Sequence, residues 1–317
     1  MFEIGAALGR ERALRAVPIG IRTGRKDPST VPRVTVPRVA VVTGAASGIG
    51  LALAVALAAR GDMVTVADIN QQGAESVAKE LGSRYPGQAD GAGVDVQDAT
   101  AVAGLIQSVK DKHGRIDLMF NNAGISIGGT AEEHTLDHWN KAIDINLRGV
   151  VHGVQAAYPI MLEQGSGHII NTASLAGLVP SPLKIAYTAT KHAVVGLSLG
   201  LRPEAAYHGV QVSVVCPGYV DTPLLDNVNS GLPQTAHGPH ARERAIQLQG
   251  KLYLPDQLAR DVLRGIDRNQ AVIIGPAYAR VAWWIARFTP ALALRSAAKN
   301  FREMRSVPET TQGADPR

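Results

Sequence analysis

Short apolar runs alternate with longer Ala- and Leu-rich segments from residue 39 to residue 274, and no other feature of the sequence narrows the fold as much. Residues 39–42 (Val-Ala-Val-Val) read as a buried strand, and 49–60 as a helix stopped by Gly61. The same reading gives further strands at 63–67, 93–96, 117–121, 168–172, 210–215 and 271–274. Helices are expected at 71–81, 99–113, 187–208 and, capped by Thr135, from there to about 162. Strands alternating with helices join as parallel crossovers. The prediction is an α/β, doubly wound, mostly seven-stranded parallel sheet of Rossmann type, with helices on both faces. No internal repeat and no domain boundary are seen between 38 and 275.

The flanks differ from this body. Residues 1–37 hold four prolines and no sustained period, and read as a disordered or loosely attached basic extension, or an upstream-assigned start, rather than a transit peptide. Residues 223–253 are rich in Pro, Gly, Asn, Gln and His and read as a mobile loop or lid. Residues 276–305 place Trp283, Trp284, Ile285 and Phe288 among spaced Arg and Lys, an amphipathic pattern expected to pack on the body. Peripheral membrane contact is the alternative use of such a segment.

Charge follows the same division. Residues 1–38 carry a net charge of +5, 278–317 carry +4, and the body between them −4. A nucleic-acid-binding domain carries its basic charge on the folded surface, so this distribution argues against nucleic acid. No apolar run reaches the 18 residues a membrane span needs, and no signal-peptide pattern opens the chain. A single cysteine, Cys216, excludes an intramolecular disulfide and a Cys-rich zinc site. It reads as packed and inert, in a chain expected to be cytoplasmic.

The turn after the first strand carries chemistry. Gly44, Ser47, Gly48, Ile49 and Gly50 lie between that strand and the next helix in a GxxxGxG spacing. Glycines allow close approach to a pyrophosphate, and the helix N-terminus supplies free N–H groups. Asp68 ends the second strand, where a carboxylate accepts from ribose hydroxyls and repels a 2′-phosphate. Two like charges ~4 Å apart cost ~4 kcal/mol at an effective dielectric of ~20. No Arg or Lys flanks Asp68, so the expected cofactor is NAD rather than NADP.

Tyr187 and Lys191, four apart on a helix, share a face. A phenol titrates near pH ~10, too high for a base at neutrality. A desolvated ammonium worth ~4 kcal/mol would lower it by ~3 units. Ser174 follows the fifth strand at the ligand-binding edge of the sheet, and Asn146 stands inside the long helix, where Asn is only a modest former.

Taken in order, residues 43–50, Asp95, Asn121-Asn122-Ala123-Gly124, Asn146, Ser174, Tyr187-xxx-Lys191 and Pro217-Gly218 resemble the short-chain dehydrogenase/reductase family over about 38–275. The resemblance implies oxidoreduction of a secondary alcohol and a ketone, with Tyr187 as general base or acid and Ser174 orienting the reacting oxygen. It implies that Lys191 contacts the nicotinamide ribose and that Asn146 holds a water relaying protons to it. Asp95 and Val96 would border the adenine. Asn122, Ala123 and Gly124 would steady the sheet beside the adenosine ribose. Pro217, Gly218 and Val220 would lie along the nicotinamide, Thr222 would meet its carboxamide or the pyrophosphate, and a homodimer or homotetramer would be expected.

Four further expectations concern the surroundings. Ser126–Gly128, residues 175–179, Tyr219 and 223–253 should line an apolar pocket for a hydrophobic substrate, with Lys184 turned to solvent rather than meeting an anionic group there. Gly200 and Pro203 should kink the helix that carries Tyr187. The pairs His134/His138 and His237/His240 read as solvated rather than metal-binding. The competing function is a nucleotide-binding regulatory or scaffold protein without turnover; retention of Ser174, Tyr187 and Lys191 argues against it.

Overall fold

The structure, a computed structural model, describes residues 37–85, 89–236, 238 and 240–305. The N-terminal extension before Pro37 and the tail after Arg305 lie outside the described residues. Seven strands form one sheet: β1 (Val39–Thr43), β2 (Met63–Asp68), β3 (Ala89–Gly93), β4 (Leu118–Asn121), β5 (Gly167–Thr172), β6 (Val210–Pro217) and β7 (Val272–Gly275). Their order is β3-β2-β1-β4-β5-β6-β7, and every pairing is parallel. The order reverses between β1 and β4, the crevice where such sheets bind ligands.

Among the described residues ten α-helices accompany the strands: α1 (Gly48–Ala59), α2 (Gln71–Arg84), α3 (Ala99–His113), α4 (Leu136–Ile143), α5 (Gly149–Gln164), α6 (Ile185–Tyr207), α7 (Ala241–Gln249), α8 (Pro255–Asp267), α9 (Ala277–Phe288) and α10 (Pro290–Arg305). The period-2 alternation of β1 explains the layering. Val39 and Val41 join the core that holds Ile106 of α3, Val154 of α5 and Val194 of α6. Ala40 and Val42 join the opposite core, with Leu53 and Leu57 of α1, Ala78 of α2 and Val262 of α8. A strand apolar on both faces has this burial available only between two helical layers.

Three segments differ from the sequence expectation. The third strand lies at 89–93, not 93–96: its small residues admit α2, and a Cβ on Gly91 would fall 2.6 Å from Glu75 Cα. The long helix expected from Thr135 is α4 and α5 joined by a π-helical turn, Asp144–Arg148. Residues 223–253 contain α7 and are pinned. Asn229, fully buried, accepts from Gly128 N–H (3.0 Å) and donates to Gly128 C=O (2.8 Å).

His138, read as solvated, is fully buried. Its Nδ1 accepts from Thr135 N–H (3.1 Å) and its Nε2 meets Pro233 C=O (3.0 Å), tying α4 to that segment. His134 is half-buried and stacks on it; His237 lies outside the described residues. The α6 helix continues through Pro203 to Tyr207 without interruption. At the C-terminus, Ala279 is buried and Trp283 packs on the core, while Val281, Trp284, Phe288 and Leu292 remain exposed beside Arg280 and Arg287. No helix among the described residues is long and apolar enough to cross a membrane.

Candidate active site

The chain leaves β1 through Gly44, whose φ of +65° favours glycine; a Cβ there would fall 2.8 Å from Ala123 Cα. A Cβ on Gly50 would fall 2.1 Å from Gly44 C=O and 2.7 Å from Asn122 Nδ2. These contacts fold the turn tightly under the first turn of α1, whose N–H groups have no acceptor within the helix. Gly48 lies against Thr222, which is buried. Asp68 closes the other side, accepting from Ala46 N–H (3.0 Å) and Asn70 N–H (2.9 Å) with lone pairs left over. The cradle therefore fits a dinucleotide: glycines where any side chain would intrude, a helix N-terminus, and a carboxylate at the ribose end.

The flanking residues form a tied frame. Asn122 Nδ2 donates to Thr43 C=O (3.0 Å), and Ala123 N–H donates to Thr43 Oγ1 (3.1 Å), joining β4 to β1. Asp95 accepts from Gln97 N–H (2.9 Å), and Val96 C=O meets His152 Nδ1 (2.8 Å). Pro217 ends β6, and Gly218 N–H donates to Gly275 C=O (2.8 Å). Val220 is buried and bridges Tyr253.

Tyr187 and Lys191 share the inner face of α6. Lys191 is buried, and its ammonium lies 5.6 Å from the Tyr187 ring centroid. Its hydrogen bond, however, goes to Thr172 C=O (2.9 Å). Burial pushes Lys191 down to about 8. Burial also dominates at Tyr187 and raises the phenol above its ordinary value, against lowering by a hydrogen bond with Ser174 and by the Lys184 ammonium. Lys184, just before α6, thus adds a second cation near the phenol beside Lys191. Ser174 ends the β5 edge, where its Oγ accepts from Ala176 N–H (3.2 Å).

Asn146 occupies the π-helical turn, fully buried. Its Oδ1 accepts from Ile125 N–H (2.8 Å) and its Nδ2 donates to Ile125 C=O (3.0 Å). The widened turn is what lets a mid-helix Asn spend both side-chain groups on a neighbouring strand's exit, and π turns frequently mark functional sites. Cys216, near Ser174 and Lys191, is buried, and burial pushes its thiol up to about 12, as suits an inert packing group.

A cavity of about 150 Å³ is lined by Lys184, three residues before Tyr187, though not by Tyr187, Ser174 or Lys191 themselves. Ser126, Ile127, Gly128 and Tyr219 line it as expected, but 180–184 replace 175–179. The latter begin with a 3₁₀ turn, and Leu175 and Leu178 pack on the core instead. Lys184 corrects the reading most: it lines the cavity half-buried, donating to Tyr219 Oη (3.0 Å). Arg244 of α7 and Ala297, Asn300 and Met304 of α10 complete the wall. Sequence reasoning also missed two clamps on α7. Gln249 accepts from Tyr219 N–H and donates to Tyr219 C=O (2.8 Å each), and Arg242 donates to Thr222 C=O (3.0 Å). Their spacing from their partners, 30 and 20 residues, leaves no local signature.

A family model described as short chain dehydrogenase matches residues 38–233. The chain belongs to the short-chain dehydrogenase/reductase family. It is 32% identical over 228 residues to a 3-oxoacyl-(acyl-carrier-protein) reductase of Thermotoga maritima, covering 71% of this chain and 89% of that one. It is 37% identical to the D-beta-hydroxybutyrate dehydrogenase of Rhizobium meliloti over 60% of this chain and 74% of the relative. Among solved structures, a short-chain dehydrogenase/reductase of Burkholderia phymatum in complex with NAD superposes with a TM-score of 0.69 at 29% identity, covering 88% of this chain and 98% of that one. As a short-chain dehydrogenase/reductase the protein is an oxidoreductase of a family acting on CH–OH groups.

Proposed function

We propose that this short-chain dehydrogenase/reductase interconverts a secondary alcohol and a ketone with NAD as coenzyme. The observation that supports it best is the convergence of Ser174, Tyr187 and Lys191 beside the glycine cradle, with Asp68 at its ribose end. Gly44, Ser47, Gly48, Ile49 and Gly50 would hold the pyrophosphate. Asp68 would take the adenosine ribose, and Asp95 and Val96 would border the adenine. Asn122, Ala123 and Gly124 would wall the groove, and Pro217, Gly218, Val220 and Thr222 would flank the nicotinamide. When bound, that ring accepts or donates the hydride. Ser174 would fix the reacting oxygen, and Tyr187 would remove its proton in oxidation or supply one in reduction. Lys191 would bind the nicotinamide ribose, and Asn146 would support the lysine from behind. We further propose a homo-oligomer working in the cytoplasm.

The coenzyme assignment is tested by Asp68→Asn, which removes the charge and keeps one side-chain oxygen, enough for one of the two N–H groups, of Ala46 and Asn70, from which Asp68 accepts. The NAD-over-NADP ratio of kcat/KM is expected to fall by about tenfold, equivalent to about 1.4 kcal/mol. A ratio already favouring NADP in the wild type would overturn the assignment.

The raised phenol also sets a pH dependence. Oxidation needs Tyr187 deprotonated, so a raised pKa moves its active form to the alkaline side. Below that pKa, kcat/KM for oxidation should climb about tenfold per pH unit, whereas ketone reduction, which uses the protonated phenol, should stay level through neutrality. Rate profiles in both directions between about pH 6 and 10 check this; an oxidation plateau at neutral pH would contradict it.

A further inference from the structure

The last two helices leave an apolar face uncovered. In α9, Val281, Trp284, Ile285 and Phe288 recur at helical spacing and form one exposed stripe. Trp284 and Phe288 stack with ring centroids 5.0 Å apart, and Phe288 is 64% exposed. The opposite side holds α9 to the body, through buried Ala279 and through Trp283, which packs on the core. The α10 helix divides in the same way. Ala297, Asn300 and Met304 line the cavity, while Leu292, Arg295, Lys299 and Arg302 share the exposed outer side. Apolar side chains scattered singly over a surface need no explanation, but a contiguous row of two aromatic and two branched aliphatic residues does.

The charge around the stripe says what covers it. Between 277 and 305 six cations stand against one acid, Glu303, which lies 3.7 Å from Lys299. Arg280 and Arg287 flank the stripe on α9, and with Arg295 they form no ion pair among the described residues. A second copy is the wrong cover: a two-fold interface brings a face onto itself, and this one would set like charge against like. The extension at residues 1–38, with a net charge of +5, has the same sign. A nucleic acid would match the charge but leave Val281 and Ile285 without an apolar partner. An anionic lipid surface answers both needs, taking the apolar side chains at its acyl boundary and the cations at its headgroups. Trp is at home at that depth, where an apolar ring with one polar edge meets both environments. Neither helix is long and apolar enough to cross a bilayer, so both would lie along it.

We propose that α9 and α10 seat this protein on anionic membrane surfaces. The α9 stripe enters the headgroup boundary, and the cations of both helices meet the charged headgroups. Because the inner side of α10 walls the cavity, docking sets that wall one helix diameter, about 10 Å, from the lipid. The contact stands apart from the dehydrogenase reading, since none of its residues belongs to the coenzyme cradle or to the group of Ser174, Tyr187 and Lys191.

The test sediments the full chain with vesicles of phosphatidylcholine alone and with vesicles of an equimolar phosphatidylcholine–phosphatidylglycerol mixture. Binding to the anionic vesicles is expected to be ~100-fold stronger than to the neutral ones, and to weaken ~10-fold or more in molar salt. Trp284→Ser combined with Phe288→Ser should lower the partition coefficient by ~10–100-fold. Arg280→Gln, Arg287→Gln and Arg295→Gln together should cut the preference for anionic lipid by ~10–100-fold. All five side chains are exposed, and far-ultraviolet circular dichroism checks that both variants keep the helix content of the wild type. A wild type that ignores anionic vesicles, or binds both kinds equally, would overturn the proposal. So would binding unchanged in the aromatic variant, which would place the contact outside α9. Sedimentation velocity decides the competing cover. The oligomeric state should be the same in the wild type and the aromatic variant; an oligomer that dissociates in the variant gives the face to a second copy and overturns the lipid assignment.

Discussion

Tyr187→Phe is expected to lower kcat by about 10²–10⁴-fold while leaving NAD affinity within about twofold of the wild type. The phenol is the group placed to exchange a proton with the reacting oxygen, and the hydroxyl is all that the substitution removes. The ring keeps its packing against Lys191, 5.6 Å from its centroid. Ser174 loses a hydrogen-bond partner but is still held by Ala176 N–H at 3.2 Å. Coenzyme affinity, followed by nicotinamide fluorescence or calorimetry, should therefore part from turnover. Comparable turnover in the Phe variant would remove the acid–base role from Tyr187. A parallel loss of NAD affinity would reassign Tyr187 to binding.

The second large effect is expected at Gly50. An added Cβ would lie 2.1 Å from Gly44 C=O, a backbone atom that cannot rotate away, and 2.7 Å from Asn122 Nδ2. Gly50→Ala must push α1 off the turn, which opens the coenzyme cradle and breaks the link from Asn122 to Thr43. Overpacking of this kind costs about 1–3 kcal/mol, and at about 2–4 °C per kcal/mol the melting temperature should fall by several degrees. NAD affinity should fall by about 100-fold or more, since the first-turn N–H groups of α1 no longer converge. Gly104→Ala is the control: it lies exposed in α3 with nothing within 4 Å of the added Cβ. That change should stabilise by about 0.5–1 kcal/mol, the ordinary gain of Ala over Gly in a helix. Equal responses from the two variants would discard the steric argument.

The parts legible in the sequence are those whose physics is local. Val39 to Val42 announce a strand buried on both faces, the glycines announce a turn that no side chain can enter, and Tyr187 and Lys191 announce a shared helix face. Each follows from a few neighbouring residues. Lys184 was misjudged because its environment is made by Tyr219 and α7, far along the chain. The π-helical turn around Asn146 leaves only one weak sign, an Asn among apolar residues. The third strand was displaced because Ala89–Gly93 has no strand-forming side chains and pairs with β2 by backbone alone. His138 looked polar and surface-bound; its burial depends on Pro233, 95 residues away. The α8 helix went unread for a different reason, its start at Pro255 following directly on a segment taken to be loop.

The roof of the cavity comes from Ala241, Arg244 and Leu248 of α7 and from α10, all beyond the stretch 38–233 that the family model recognises. The floor of the same cavity, Ser126–Gly128, residues 180–184 and Tyr219, lies inside that stretch, so only part of the substrate wall would be written apart from the coenzyme cradle. New specificities could arise by exchanging the final quarter of the chain while the redox half stays untouched.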